Sequence, residues 1–162
     1  MMQTIVNGGK RLLLAGCALL AVSGVQAAEP GKGKVLLIAS SYGVAEDNTR
    51  PGLEFDEFAM AYQLLSQYPL TIELASPAGG KVESDKYSNE KPYNKATLAD
   101  SYAMQLLADS QKLSNVNARD YKAVLVLGGK GAMFDLAEHQ PLQQLLQEML
   151  QQQKPVAAVC HG

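Results

Sequence analysis

The stretch Val156-Ala157-Ala158-Val159-Cys160-His161-Gly162 places a short apolar run directly before a cysteine with small residues around it. Residues 156–159 are typical of a buried strand. Ala158 and Gly162 lie two residues before and two after Cys160, and both are small enough for the backbones on either side of a sharp turn to approach closely. The pattern predicts a strand that ends in a strained turn and presents the cysteine at the carboxyl edge of a sheet.

Three further apolar runs precede this stretch and alternate with segments of helical spacing. The apolar runs are residues 35–39, 70–75 and 123–127. Helical spacing occurs in residues 55–65, 96–112 and 142–150, whereas residues 81–95 are a long polar loop. Strands that alternate with helices are the signature of a parallel sheet. We therefore predict an α/β fold, a doubly wound parallel sheet with helices on both faces.

A glycine-rich turn, Gly128-Gly129-Lys130-Gly131, follows the predicted strand at residues 123–127. Because adjacent strands of a parallel sheet end at the same edge, this turn is expected beside Cys160. Glycine lets backbone N–H groups approach a substrate closely, so the amides of Gly129 and His161 are candidates for an oxyanion hole. The remaining candidates for substrate contact are Gly128, Lys130 and Gly131.

The cysteine itself is a candidate nucleophile. A helix that begins after Gly162 would point its N-terminus at the sulfur, and its dipole would lower the pKa of the Cys160 thiol. A buried cysteine at a turn is the structural alternative, and a Gly-Gly pair after a strand is common on its own. The two motifs at successive strand ends favour the nucleophile.

The first 27 residues predict a signal peptide that is not part of the fold. Lys10-Arg11 is a short basic region, and the apolar run at residues 12–22 is too short to span a bilayer comfortably. Val25 and Ala27 suit a cleavage site before residue 28. Residues 28–34 then form a polar linker to a domain at residues 35–162. We expect a periplasmic or secreted protein with no integral membrane segment after processing.

Two alternatives to cleavage after Ala27 remain open. The segment could stay as an uncleaved membrane anchor, or Leu14-Ala15-Gly16-Cys17 could serve as a lipobox, with acylation at Cys17. Cleavage after Ala27 would leave Cys160 as the single cysteine, so that a disulfide within the mature chain is impossible. A lone thiol in an oxidising compartment is exposed to damage, and its presence suggests that its chemistry is used.

Composition and charge exclude several other classes of function. The formal net charge is −2 and no cluster of lysine and arginine occurs, which argues against a nucleic-acid partner. His139 and His161 are the only histidines, and His139 begins an amphipathic helix where it is expected to be solvated. No metal site is predicted.

The motifs together resemble a known family. Residues 157–162 and 128–136 are similar to the paired signatures of the ThiJ/PfpI superfamily, which has the class I glutamine amidotransferase-like fold. Residues 74–80 resemble the turn after the second strand in its chaperone/glyoxalase III branch, and residues 57–62 resemble the acidic start of that branch's first helix. The resemblance extends over residues 35–162 and implies a flavodoxin-like sheet.

The resemblance also implies roles for three residues. Cys160 would be the nucleophile, His161 its partner, and Glu57 a buried acid that hydrogen-bonds the sulfur region and relays protons. From the residues alone Glu57 is ambiguous, because Glu54 and Asp56 lie beside it and an acid in a first helical turn is usually at the surface. The implied activity is that of a cofactor-independent glyoxalase III or protein deglycase, which converts methylglyoxal to D-lactate in stress defence.

Other functions are compatible with the same resemblance. The protein could be a holding chaperone or redox stress sensor that binds client proteins, or a peptidase or amidase that uses Cys160 and His161. Members of the family are often homodimers. The branch usually has histidine where this chain has Lys130, so substrate handling could differ. The chain stops at Gly162, before the helix and acidic residue expected downstream, and we expect a C-terminally truncated and inactive fragment.

Overall fold

The computed structural model describes residues 33–47 and 49–162. The predicted signal peptide, most of the predicted linker and the lipobox cysteine Cys17 lie outside these residues. The first strand begins at Gly33, so the last two residues of the predicted linker belong to the sheet. Within the described residues, no helix combines the length and apolar character that crossing a membrane requires.

A parallel sheet forms the centre of the fold. Its strands are β1 (Gly33–Ile38), β2 (Leu70–Ser76), β3 (Gln111–Lys112), β4 (Ala123–Val126) and β5 (Val156–Ala158). The spatial order is β3-β2-β1-β4-β5, and every neighbouring pair is parallel. The chain changes direction across the sheet between β1 and β4, and open α/β sheets bind ligands at the carboxyl ends of the strands at such a point.

Helices cover both faces of this sheet. They are α1 (Phe55–Leu65), α2 (Pro92–Ala99), α3 (Ser101–Ala108), α4 (Ala132–Asp135) and α5 (Gln140–Gln151). The apolar side chains of α1 and α3 pack on one face, and those of α5 pack on the other. The predicted doubly wound α/β fold is confirmed.

The central strand β1 shows why its sequence is an uninterrupted apolar run. Leu36 and Ile38 point to the face that α5 covers, and Leu37 points to the face that α1 covers. All three side chains are fully buried. A strand with helices above and below it must be apolar on both sides, so the alternation of an exposed strand is absent.

The predicted helix at residues 96–112 is wrong in its extent. Asp100 has extended backbone, with φ −91° and ψ 111°, and separates α2 from α3. Its carboxylate accepts hydrogen bonds from the amides of Tyr102 at 2.9 Å and Ala103 at 3.1 Å. This N-cap satisfies donors that a continuous helix would have bonded to its own carbonyls. The end of the predicted helix is instead the short strand β3.

The long polar loop at residues 81–95, called the excursion from here on, packs against the start of α1. The ring of Tyr87 stacks on that of Phe55 with centroids 4.0 Å apart, and the backbone bridges Leu53 to Ser84. Pro92 begins α2, a position where its missing N–H costs nothing. The excursion is therefore part of the architecture around the first helix, and its last residues are helical.

The region around β5 is open to solvent. Ala157 and Ala158 are exposed, and a cavity of about 460 Å³ lies between α1, β4 and β5. A second cavity, of about 470 Å³, lies between β5, α4 and α5. Apolar side chains line both cavities, so the sheet presents uncovered apolar surface on both sides of its last strand.

Replacing Phe58 with alanine tests the core under α1. Phe58 is fully buried, and its removal is expected to lower the free energy of unfolding by about 3–5 kcal/mol. Met60 lies on the same helix and is 48% exposed, so Met60→Ala should change it by less than about 0.5 kcal/mol. Equilibrium unfolding in urea measures both values. Similar losses in the two variants would contradict the described packing.

Candidate active site

The chain makes a strained turn directly after β5. Cys160 has a φ of 54°, in the left-handed region that residues with a side chain rarely adopt. The amide of Gly162 donates to the carbonyl of Val159 at 2.8 Å, which closes the turn. A Cβ atom on Gly162 would lie 2.6 Å from the carbonyl oxygen of Val126, so only glycine fits there. The strained turn predicted from the spacing of small residues is confirmed.

The glycine turn after β4 lies against this turn, as the strand order predicts. β4 and β5 are neighbours, with Val126 opposite Ala158. A Cβ atom on Gly128 would lie 2.8 Å from the Cβ of Cys160 and 2.8 Å from Oε2 of Glu57. The absence of a side chain at Gly128 therefore allows the cysteine and the acid to meet.

Glu57 is the acid that reaches the cysteine. It lies in the first turn of α1, and its Oε2 accepts a hydrogen bond from the Gly128 amide at 2.8 Å. Asp56 points elsewhere, because Lys91 and the side-chain amide of Asn94 donate to its carboxylate. The structure thus separates two neighbouring acids that the sequence alone left equivalent, and it places Glu57 beside the thiol.

The pKa of the Cys160 thiol is raised, which is opposite to the expectation from a helix dipole. The hydrogen bond with the Glu57 carboxylate is the largest cause, and the negative charge of Glu57 acts in the same direction. The backbone N–H groups of His161 and Gly129 act in the opposite direction and lower the pKa. These are the two amides proposed for the oxyanion hole, and both lie close enough to the sulfur to stabilise negative charge there.

His161 completes the group around the sulfur. Its Nδ1 lies 3.0 Å from Sγ of Cys160, and both side chains are exposed. Whether this nitrogen donates or accepts depends on the tautomer, so the pair can move a proton in either direction. His161 also lines the 470 Å³ cavity together with Met133 and Gly162.

The three residues predicted to contact a substrate, Gly128, Lys130 and Gly131, lie in different surroundings. The amide of Gly128 donates to Glu57, and the amide of Gly131 donates to the carbonyl of Gly52 at 3.2 Å. Contacts of these two glycines with a substrate would therefore depend on shape, not on N–H donation. Lys130 lines a cavity of about 430 Å³ together with Arg50. The roles of all three turn residues stay predictions.

Asp135 is a residue near the site that the sequence analysis did not assign. It ends α4, and its Oδ2 accepts a hydrogen bond from the amide of Ser41 at 2.7 Å. Burial is the main cause that raises the pKa of its carboxyl. The sequence did offer a signal for this residue, because Asp135 is an acid within the apolar segment that follows the glycine turn. Its contact fastens α4 to the loop after β1.

The other histidine has a structural contact. Nδ1 of His139 accepts a hydrogen bond from the amide of Leu142 at 3.3 Å and so caps α5. Among the described residues, no group of three or more histidine, cysteine, aspartate or glutamate side chains is arranged to hold a metal ion. The chemistry available at the β5 turn is that of a thiol, an imidazole, a carboxylate and two amides.

Comparison with known sequences gives a family match. A profile described as the DJ-1/PfpI family matches residues 50–162. The glutathione-independent glyoxalase hsp3101 of Schizosaccharomyces pombe is 30% identical over 147 residues, which covers 81% of this chain and 57% of that protein. The chain thus spans little more than half the length of this relative.

Solved structures agree with the sequence match. The Rapid Encystment Protein 24 KDa of Francisella tularensis has a TM-score of 0.72 at 26% identity, over 80% of this chain and 59% of that one. Glyoxalase III of Candida albicans has a TM-score of 0.67 at 25% identity, over 80% of this chain and 57% of that one. The resemblance to the ThiJ/PfpI superfamily and its glyoxalase III-type branch is confirmed.

Replacing Glu57 with glutamine tests the electrostatics of the site. The substitution is expected to lower the pKa of the Cys160 thiol, because the neighbouring carboxylate that disfavours the thiolate is removed. The pKa is measured from the pH dependence of alkylation of the Cys160 peptide by iodoacetamide, followed by mass spectrometry.

The matched control for this substitution is Glu90→Gln. It removes an exposed carboxylate from the excursion at residues 81–95 and should leave the thiol pKa where it was. A thiol pKa that stays the same or rises in Glu57→Gln would show that the carboxylate does not act on the sulfur.

Proposed function

The chain belongs to the DJ-1/PfpI family, and on that basis we propose that it is a cysteine-dependent enzyme that converts small reactive dicarbonyl compounds to hydroxy acids without a cofactor. The observation that carries the proposal is the position of Sγ of Cys160, which lies 3.0 Å from Nδ1 of His161 and close enough to the Glu57 carboxylate for that group to raise the pKa of the thiol. Methylglyoxal, with product D-lactate, is the proposed reaction.

The first step is addition of the thiol to the aldehyde. Cys160 gives its proton to His161, and the sulfur forms a bond to the aldehyde carbon while the carbonyl electron pair moves to oxygen. We assign stabilisation of the negative charge on that oxygen to the amides of Gly129 and His161, which lower the pKa of the neighbouring thiol. The imidazolium returns the proton, which gives a hemithioacetal.

The second step moves a hydrogen between the two carbons of the substrate. The Glu57 carboxylate removes the hydrogen on the carbon bound to sulfur, and the electron pair moves to the adjacent ketone to give an enediol. Glu57 then returns this hydrogen as a proton to the second carbon, and the hydroxyl proton of the first carbon passes to the oxygen of the second carbon, which produces a lactoyl thioester on Cys160. The first carbon is oxidised and the second is reduced, so no external oxidant or reductant is needed.

The last step is hydrolysis of the thioester. Water adds to the carbonyl carbon, the carbon–sulfur bond breaks, and lactate leaves while the thiol is restored. The raised pKa of the Cys160 thiol makes the thiolate a poorer leaving group in this step, although it favours uptake of a proton once the carbon–sulfur bond has broken. The net reaction adds one water to methylglyoxal.

Two relatives support this choice among the activities of the family. The Schizosaccharomyces pombe relative is named as a glutathione-independent glyoxalase, and the Candida albicans structure is that of a glyoxalase III. The first of these names states that the relative acts without glutathione. The three residues proposed for the chemistry of this chain are those that the structure brings together at the end of β5.

An assay of D-lactate formation from methylglyoxal without glutathione tests the proposal. Cys160→Ser should abolish activity, and Glu57→Gln should lower kcat by about 100-fold or more, the usual contribution of a general base. Glu90→Gln, with its exposed side chain, should stay within about twofold of the native protein. The assay uses the protein as its own cells produce it.

Other outcomes of this assay favour the alternative functions. Lactate production by Cys160→Ser at the native rate would contradict the mechanism. Suppression of client aggregation that persists in Cys160→Ser, with no lactate from the native protein, would favour a holding chaperone. Hydrolysis of peptide or amide substrates that needs Cys160, again without lactate, would favour a peptidase or amidase.

A further inference from the structure

We infer that Asp85 is a positioning residue for the site: it acts through the backbone of Gly52 to hold the glycine turn at Gly129 and Gly131 in place. Asp85 lies in the excursion at residues 81–95 and is not part of the group around the sulfur. Its kinetic consequence rests on the proposed function, whereas its structural consequence does not.

A short series of hydrogen bonds connects Asp85 to the turn. Oδ1 of Asp85 accepts from the amide of Gly52 at 2.8 Å, and the carbonyl of Gly52 accepts from the amide of Gly131 at 3.2 Å. The two bonds lie on opposite sides of one residue. The carboxylate of Asp85 therefore fixes the position of Gly52 through its amide. Gly52 in turn contacts the glycine turn through its carbonyl.

Backbone contacts fix the excursion to the same segment. The amide of Leu53 donates to the carbonyl of Glu83 at 2.9 Å, and the amide of Asp85 donates to the carbonyl of Leu53 at 2.9 Å. Farther along, the amide of Glu54 donates to the carbonyl of Gly128 at 3.4 Å. The segment at residues 52–54 thus lies between two partners, with the excursion on one side and the end of β4 on the other.

The packing leaves this segment little room to move independently. A Cβ atom on Gly52 would lie 2.1 Å from the carbonyl oxygen of Glu83. A Cβ atom on Gly129 would lie 2.5 Å from the carbonyl oxygen of Gly52 and 2.4 Å from the nitrogen of Glu54. The excursion, the segment at residues 52–54 and the glycine turn are in direct contact. A shift of Gly52 is therefore transmitted to the glycine turn.

The turn is sensitive to such a shift. Gly129 has a φ of 97°, a conformation that glycine adopts more readily than other residues. Its amide lowers the pKa of the Cys160 thiol. A preorganised N–H donor loses its effect when its direction changes, and small displacements remote from the chemistry can have large kinetic effects. Asp85 would therefore influence the reaction without touching the substrate.

Two substitutions separate this role from a general loss of stability. Asp85→Ala leaves the Gly52 amide without its acceptor, and kcat for lactate formation should fall by about 10–100-fold. KM should stay within about twofold, because groups that act mainly in the transition state affect kcat. Asp85→Asn keeps an acceptor oxygen and should restore kcat to within about threefold of the native value. Glu90→Ala, which removes an exposed carboxylate from the same excursion, should match the native protein.

Amide hydrogen exchange, followed by NMR, supplies a readout that does not depend on activity. In Asp85→Ala, the amides of Gly129 and Gly131 should exchange faster, while that of Met149 in the core of α5 should not change. In Asp85→Asn, all three amides should exchange at the rates of the native protein. If the native protein produces no lactate, the proposed function fails and the exchange experiment still decides the role of Asp85.

The inference is overturned by either of two results. Native exchange rates at Gly129 and Gly131 in Asp85→Ala would show that the carboxylate does not hold the turn. A folded Asp85→Asn protein with the same exchange and kinetic losses as Asp85→Ala would show that an acceptor at this position is not what matters. Should Asp85→Ala fail to fold, a folded Asp85→Asn protein with native exchange at Gly129 and Gly131 would support the need for an acceptor oxygen at this position, and faster exchange there would overturn the inference.

Discussion

The hydrogen bond from the Gly128 amide to the Glu57 carboxylate connects the three parts of the site. Glu57 belongs to the first helix, Gly128 follows β4, and Cys160 follows β5. The bond holds the carboxylate where it meets the thiol, and it forms because residue 128 has no side chain to occupy that space. The raised pKa of the thiol is a direct consequence of this placement. A raised pKa makes the thiolate a stronger nucleophile and a poorer leaving group.

Much of the fold and part of the site could be predicted from the sequence, since each depends on local patterns. Apolar runs of about five residues indicated the buried strands, and β1 shows the reason in its two buried faces. The small residues around Cys160 indicated the strained turn, because only Gly162 fits against β4. The adjacency of the two turns followed from parallel strand order. The resemblance to the family identified Glu57, which the pattern of acids did not.

The features that were missed depend on contacts between distant parts of the chain. The strand β3 has two residues and exists because β2 offers it an edge. The break at Asp100 did have a local signal, an N-cap acid, but it lies within otherwise helical spacing. The direction of the shift in the thiol pKa depends on how close the Glu57 carboxylate comes, which no spacing reveals. The same is true of Asp85, whose contact with Gly52 spans 33 positions.

The most direct test of the account is detection of the covalent intermediate. The native protein is mixed with isotopically labelled methylglyoxal, quenched in acid within the first turnover, digested and analysed by mass spectrometry. The account predicts a labelled lactoyl group on the peptide that contains Cys160, which disappears as lactate forms. Lactate formed with no label on that peptide at any time, or with label on another residue that is lost at the rate of turnover, would contradict it.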